Sequence, residues 1–296
     1  MALPTTFRIE EHGEKSRLVC FGGVYSNAPA LTAMLARVAG VPKDEVYCLG
    51  DLTGGYGLHP ERVLIALRNS GIEVLQGNRD YTVGHEEDDC GCGYTSARDN
   101  RFAQISFDLS RRGVGRTSRQ WLKDLPHQAN VTLGDKKVRL CHGSSRVMNE
   151  FLWESLPDSF YVELLAQTGV DVIVCTHTGL QWMREVAPGK YIVNCGVIGR
   201  PPNDGTTDVW YAELKAGEPP QLVKLSYHWQ AVVTELQQGK LPPEFVTAIR
   251  DGWWACCYDI LPPAEASRGK YSRLPAEDSG YAADAACSLE AKGKTT

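Results

Sequence analysis

The chain has 296 residues, 43% of them hydrophobic and 23% charged, and a formal net charge of −5. That length allows one large domain or two small ones, either with a sizeable core. No apolar run approaches the roughly 20 residues a membrane helix needs, and the acidic balance argues against a general nucleic-acid binder while leaving a small phosphorylated ligand open. The stretch Met1 to Glu14 is polar and acidic and does not read as a signal sequence. Of the ten cysteines, Cys20, Cys48, Cys141 and Cys175 fall inside apolar runs, where a free thiol behaves as a small hydrophobe. A reduced, cytoplasmic protein is the expectation.

In chain order, Arg17 to Phe21 reads as a buried strand ending at Gly22-Gly23. A helix follows, with Leu31, Leu35 and Val38 on one face and Ser26 or Asn27 as its cap. Glu45 to Leu49 is a second strand, stopped by Gly50-Asp51. Pro60 to Asn69 is a helix with proline near its start and Gly71 past its end. Ile72 to Leu75, stopped by Gly77-Asn78, completes a βαβαβ pattern, which favours a largely parallel, buried sheet. Tyr81 to Arg101 is long, rich in glycine and acid, and irregular; a segment of that kind is functional or ordered by something bound. Thr117 to Leu125 reads as a short helix, and Val131 to Leu133 with Lys137 to Leu140 as a hairpin across Gly134-Asp135. A helix at Ser159 to Gln167 precedes strands at Val170 to Cys175, Tyr191 to Asn194, Val209 to Leu214 and Leu222 to Tyr227. Trp229 to Gln238 and Pro243 to Arg250 are closing helices, and Ala264 to Thr296 has the composition of a disordered tail. Residues 1–263 therefore read as a single domain with a helical extension from about 229, and no repeat is visible.

Four predicted strands end in a potential metal ligand: Gly50-Asp51, Gly77-Asn78, Cys141-His142-Gly143 and Thr176-His177. In a wound sheet, sites form at the carboxyl ends of strands. Asp51, Asn78, His142 and His177 should then converge. Two imidazoles, a carboxylate and a carbonyl oxygen suit a divalent ion of the Mn, Fe or Zn kind. Each residue alone is better explained as a turn former or a satisfied core group; the ordered set carries the weight.

These blocks resemble the metallophosphoesterase (calcineurin-like) superfamily, whose ordered motifs are Asp-x-His, Gly-Asp-x-x-x-x-Gly, Gly-Asn-x-Asp or Gly-Asn-His-Glu, His-Gly, and Gly-His-x-His. The chain offers Gly23-Val24-Tyr25, Gly50-Asp51 through Gly57, Gly77-Asn78-Arg79-Asp80, His142-Gly143 and Thr176-His177-Thr178-Gly179. Asn194 to Pro201 looks like a further segment of small bacterial members. The resemblance spans about residues 17 to 215. It implies an α/β layered sandwich, with central mixed β-sheets flanked by helices. It further implies a metal-dependent phosphoesterase acting on a small phosphomonoester or phosphodiester.

The departures are selective. Where the family has the ligands of one ion, this chain has Gly23, Tyr25 and Gly179; the counterparts of the other ion's ligands, Asn78, His142 and His177, are present with the bridging Asp51. One ion per chain is therefore expected rather than two. Arg79 stands where many members carry an acid-base histidine; a guanidinium holds phosphate well but is a poor proton donor. Asp80 is expected to orient a ligand histidine. Tyr25 is expected either to fill vacated space or to offer its hydroxyl to substrate. Cys90 and Cys92, and His85 in the same loop, are candidate extra ligands, the plain alternative being an unpaired loop pair. Arg98, Arg200 and Asn203 are placed to flank a phosphate. Trp253-Trp254 with Cys256-Cys257 packs the closing helix or forms an aromatic wall. Two rival readings remain: a catalytically silent scaffold on the same fold, and a redox or soft-metal protein built on Cys90 and Cys92. Substrate identity and oligomeric state are not encoded in any recognisable motif.

Overall fold

The computed structural model describes residues 3–269. In chain order its elements are β1 (Ile9–Lys15), β2 (Arg17–Phe21), α1 (Ala28–Arg37), β3 (Val46–Cys48), α2 (Pro60–Ser70), β4 (Glu73–Val74), α3 (Asn78–Gly84), α4 (Ala97–Gly113), α5 (Arg116–Asp124), β5 (Gln128–Leu133), β6 (Lys136–Cys141), α6 (Asp158–Thr168), β7 (Val172–Cys175), β8 (Gln181–Ala187), β9 (Lys190–Cys195), β10 (Val209–Lys215), β11 (Gln221–Leu225), α7 (Trp229–Gln238), α8 (Pro243–Arg250) and α9 (Pro263–Ala266). The described strands form two mixed sheets, ordered β1-β5-β6-β7-β9-β8 and β11-β10-β2-β3-β4.

The period of two in the strands explains the layering. Leu18 and Cys20 of β2 point into the core between the sheets with Val172 and Val174 of β7. Val19 and Phe21 point outward onto Leu31 and Met34 of α1 and Leu64 of α2. Ile173 and Cys175 of β7 meet Tyr161, Leu164 and Leu165 of α6 on the opposite outer face. The result is a helix–sheet–sheet–helix sandwich with two mixed sheets, the layered architecture that the resemblance implies, and the first five predicted elements form its parallel part. Within each sheet the strands that carry the motifs run parallel: β2 with β3 and β4, and β6 with β7. Their carboxyl ends share one edge.

Over that edge sits a separate apolar cap, in which Phe102 of α4, Leu236 of α7 and Phe245 and Ile249 of α8 pack around Tyr56. The helices α7 and α8 have the predicted limits. Asn27 is the cap of α1: its side-chain oxygen accepts from the Ala30 amide at 3.0 Å, and its Nδ2 donates to the Gly199 carbonyl at 3.0 Å. Asn27→Ala is expected to lower stability by about 1–2 kcal/mol, a lost cap plus an orphaned carbonyl; a denaturant midpoint unchanged from the parent would contradict this.

Four elements escape the sequence reading. β1 is an almost wholly exposed strand paired in parallel with β5, and β8 pairs antiparallel with β9. Most of α3, and the start of α4, lie in the segment taken as irregular. Part of the expected tail is structured. α9 covers Pro263–Ala266, and Glu265 is buried, accepting from the Ser155 amide and hydroxyl at 2.8 Å each. The rest of the expected tail, 270–296, lies outside the described residues. No helix among the described residues is long and apolar enough to cross a membrane.

Candidate metal centre

The turns after β3, β4, β6 and β7 deliver Asp51, Asn78, His142 and His177 to one buried point. His142 Nε2 lies 3.1 Å from Asn78 Oδ1, 3.1 Å from His177 Nδ1 and 3.4 Å from Asp51 Oδ1. Four ligands held about 2.1 Å from one tetrahedral ion stand about 3.4 Å apart. The three separations from His142 are close to that spacing, and ligand atoms of Asp51, His142 and His177 all lie within 4.8 Å of one another, so the group could hold a first-row divalent ion. The His142 tautomer suits that role: Nδ1 donates to the Leu49 carbonyl at 2.7 Å, which leaves the Nε2 lone pair facing the other donors. Asp51 and His177 have φ values of +56° and +69°, a left-handed backbone that non-glycine residues seldom adopt. Strain of this kind concentrates at functional sites.

The electrostatics favour the ligating form of His177 and Asp51, and act the other way at His142. Burial, then the neighbouring His142 ring, push His177 down to about 3, so it stays a neutral imidazole. Burial acts to raise Asp51, but His142 and then Arg79 outweigh it and hold the carboxyl at about 2. For His142 burial acts downward and the Asp51 carboxylate prevails, raising it above the ordinary value.

Asp80 behaves differently from its expectation. It accepts from the backbone amides of Asp51 at 2.7 Å, Leu52 at 3.0 Å and Gly77 at 2.9 Å. It thus locks the turn after β3 to the start of α3, and the histidine ring it was expected to orient is held by a carbonyl instead. Burial and then Asp51 push it up to about 7 against those donors.

Arg79 and Arg200 both reach the cleft above the four donors, together with Tyr25 and Cys92. The Arg79 Nη1 donates to Ser106 Oγ at 2.8 Å, and its backbone amide to Asp51 Oδ1 at 3.1 Å. The Tyr25 ring answers the question of vacated space. A Cβ at Gly23 would lie 3.1 Å from Tyr25 Cζ and 2.2 Å from Val197 Cγ1, so both occupy the volume a side chain at position 23 would need. Burial, then Asp51, raise the Tyr25 hydroxyl, which stays protonated.

Four expectations fail here. Arg98 is turned away: it donates to the Ala255 carbonyl and lies over the Phe102 and Tyr258 rings. His85 caps the end of α3, bonded to the Tyr81 carbonyl at 2.9 Å and stacked on that ring, apart from the four donors. Cys90 and Cys92 are joined in a disulfide, so neither offers a thiolate, and the reduced state expected throughout holds only for the other described cysteines. The loop still matters, since Asn78 Nδ2 donates to the Cys90 carbonyl at 2.8 Å and so turns Oδ1 toward His142. Asn203 is not among the residues lining the cleft; its Oδ1 accepts from the Trp254 amide at 2.7 Å.

Sequence reasoning missed the cleft walls contributed by Phe102 and Ser106 of α4 and by Phe245 of α8. The stripe Phe102, Ser106 and Ser110, at intervals of four, was the available signal. It also missed Phe151, whose ring lies 4.4 Å from that of His177 and stacks on Trp153.

Fold and site define an α/β sandwich with a buried Asp, His and His group that could hold a metal ion at the carboxyl edge of its sheets. The model of the calcineurin-like phosphoesterase superfamily domain matches residues 17–217, and the chain belongs to that superfamily, whose members typically bind divalent metals. It is 24% identical to an uncharacterised protein of Methanocaldococcus jannaschii over 244 residues, 77% of this chain and 95% of that one. Among solved structures it is similar to a hypothetical protein from Pyrococcus horikoshii, with a TM-score of 0.68, 18% identity and coverage of 81% and 99% of the two chains. It is also similar to a metallophosphoesterase from Sphaerobacter thermophilus, with a TM-score of 0.61, 22% identity and coverage of 80% and 98%.

Proposed function

We propose that the chain is a metal-dependent hydrolase of a small phosphomonoester or phosphodiester that works with one divalent ion, of the Mn, Fe or Zn kind, held by Asp51, Asn78, His142 and His177. The observation that carries this reading is the approach of three further donors to His142 Nε2 at 3.1–3.4 Å. When bound, such an ion supplies Lewis acidity toward a phosphoryl oxygen and toward water. The protein's own groups do the rest. Arg79, braced by Ser106, binds and orients phosphoryl oxygens. Tyr25 is the neutral hydroxyl in the cleft available to a leaving-group oxygen. The aromatic cap restricts water.

Elemental analysis of purified protein combined with a phosphoester panel tests this. One ion per chain with turnover is the expected result. No ion and no turnover after reconstitution would favour the silent scaffold. Arg79→Gln should reduce kcat/KM by about 10²–10³-fold, the scale of losing one preorganised donor to the transition state, with ion content unchanged. Equal kcat/KM would remove Arg79 from the mechanism.

A further inference from the structure

Two positions where the superfamily has ligands for its other ion are glycine here, and both are built over. The room a side chain at position 23 would need is taken by Val197 and Tyr25. A Cβ at Gly179 would lie 3.1 Å from Arg200 Nη2 and 3.0 Å from Trp254 Cη2. The direction from which a histidine at 179 would reach an ion is therefore occupied by a guanidinium.

That guanidinium is an unusual one. Arg200 is only 5% exposed, and its Cζ lies 3.6 Å from the centroid of the Trp254 ring. Trp254 is itself pinned, its indole N–H donating to the Pro201 carbonyl at 2.7 Å. No carboxylate among the described residues comes within 4.0 Å of Arg200, and its Nε is buried without a hydrogen-bond partner. The charged form is nonetheless the one present, since arginine keeps its proton. A buried cation without a counter-charge is costly. Its described partners, the Tyr56 hydroxyl and the Trp254 face, are neutral, and a phosphorylated ligand in the cleft would supply the missing charge. Arg79 lines the same cleft, and its guanidinium too has no described carboxylate within 4.0 Å. The free space between them is about 30 Å³, walled by Tyr25, Tyr56, Phe102 and Phe245. Two cations facing one small cleft match a terminal phosphate, which carries about two negative charges at pH 7, better than a diester, which carries one.

We infer that Arg200 replaces the superfamily's second ion as the resident cation of this site, and that Arg200 and Arg79 together bind a terminal phosphate, making phosphomonoesters the substrate class. This rests on the hydrolase reading for its substrate, but it concerns anion binding and can be tested apart from turnover. The full chain, stripped of metal by a chelator, is titrated with inorganic phosphate, methyl phosphate and dimethyl phosphate, with calorimetry and thermal unfolding as readouts. Phosphate and methyl phosphate should bind and raise Tm without any metal. Dimethyl phosphate should bind at least tenfold more weakly. Arg200→Gln should lower phosphate affinity at least tenfold, and Arg200→Lys, which keeps the charge but loses the fork, should fall between. Phosphate binding that appears only with metal added would overturn the inference while leaving the hydrolase reading intact. Equal affinity for methyl and dimethyl phosphate would overturn the monoester assignment even if Arg200→Gln fails to fold. Metal-free phosphate binding in a protein with no turnover would uphold the inference and count against the hydrolase.

Discussion

His142→Ala is expected to leave a folded chain that carries no stoichiometric divalent ion and hydrolyses phosphoesters at least about 10³-fold more slowly, since a Lewis-acid ion contributes several kcal/mol and each 1.36 kcal/mol is tenfold in rate. The imidazole sits at the centre of the donor set, within 3.4 Å of each of the other three ligand atoms. Its removal takes away one of the four donor groups and leaves Asp51, Asn78 and His177 without the atom they all approach. Elemental analysis separates this from a structural defect. A variant with an intact circular dichroism spectrum, normal ion content and normal turnover would show that His142 is a packing residue. Asp51→Asn should behave alike, because the amide keeps the shape and loses the charge.

Gly50→Ala should be among the more disruptive single-methyl changes in the described chain. Gly50 has φ +90°, and a Cβ there would lie 2.2 Å from the Gly77 amide nitrogen and 2.7 Å from Gly77 Cα. Left-handed strain of roughly 1–2 kcal/mol then adds to overpacking of typically about 1–3 kcal/mol. At about 2–4 °C per kcal/mol for a large domain, Tm should fall by roughly 4 °C or more. The colliding backbone belongs to the turn that carries Asn78, so ion affinity should fall as well. Gly40→Ala, with nothing within 4 Å of the new methyl, is the control and should leave both unchanged. A Gly50→Ala protein with the parent's Tm and ion content would refute the close approach of the two turns.

The strand ends were legible because two simple signals coincide there: apolar runs stop at glycine, and a metal-type side chain follows. Asp51, Asn78, His142 and His177 stand at such points, and order along the chain was enough to bring them together. Other parts were hidden for physical reasons. β1 hides because an edge strand with exposed faces has no alternation to read: Glu10, Glu11 and Glu14 lie along it. The role of Asp80 is three-dimensional, since two of its three amide partners lie 28 and 29 residues away. Arg200 was placed near phosphate from its loop position, yet its support by Trp254, 53 residues after the carbonyl that holds that indole, left no trace in local pattern. The expected ligands Cys90, Cys92, His85 and the expected phosphate contact Arg98 were chosen by residue type alone, and chemistry without a strand end to place it proved uninformative.

The most direct test is a crystal structure of manganese- or zinc-loaded protein phased on the anomalous signal of the metal. The account predicts one anomalous peak, within bonding distance of Asp51, Asn78, His142 and His177, and none on the side filled by Tyr25, Arg200 and Trp254. Two adjacent peaks, or one held by other residues, would contradict it.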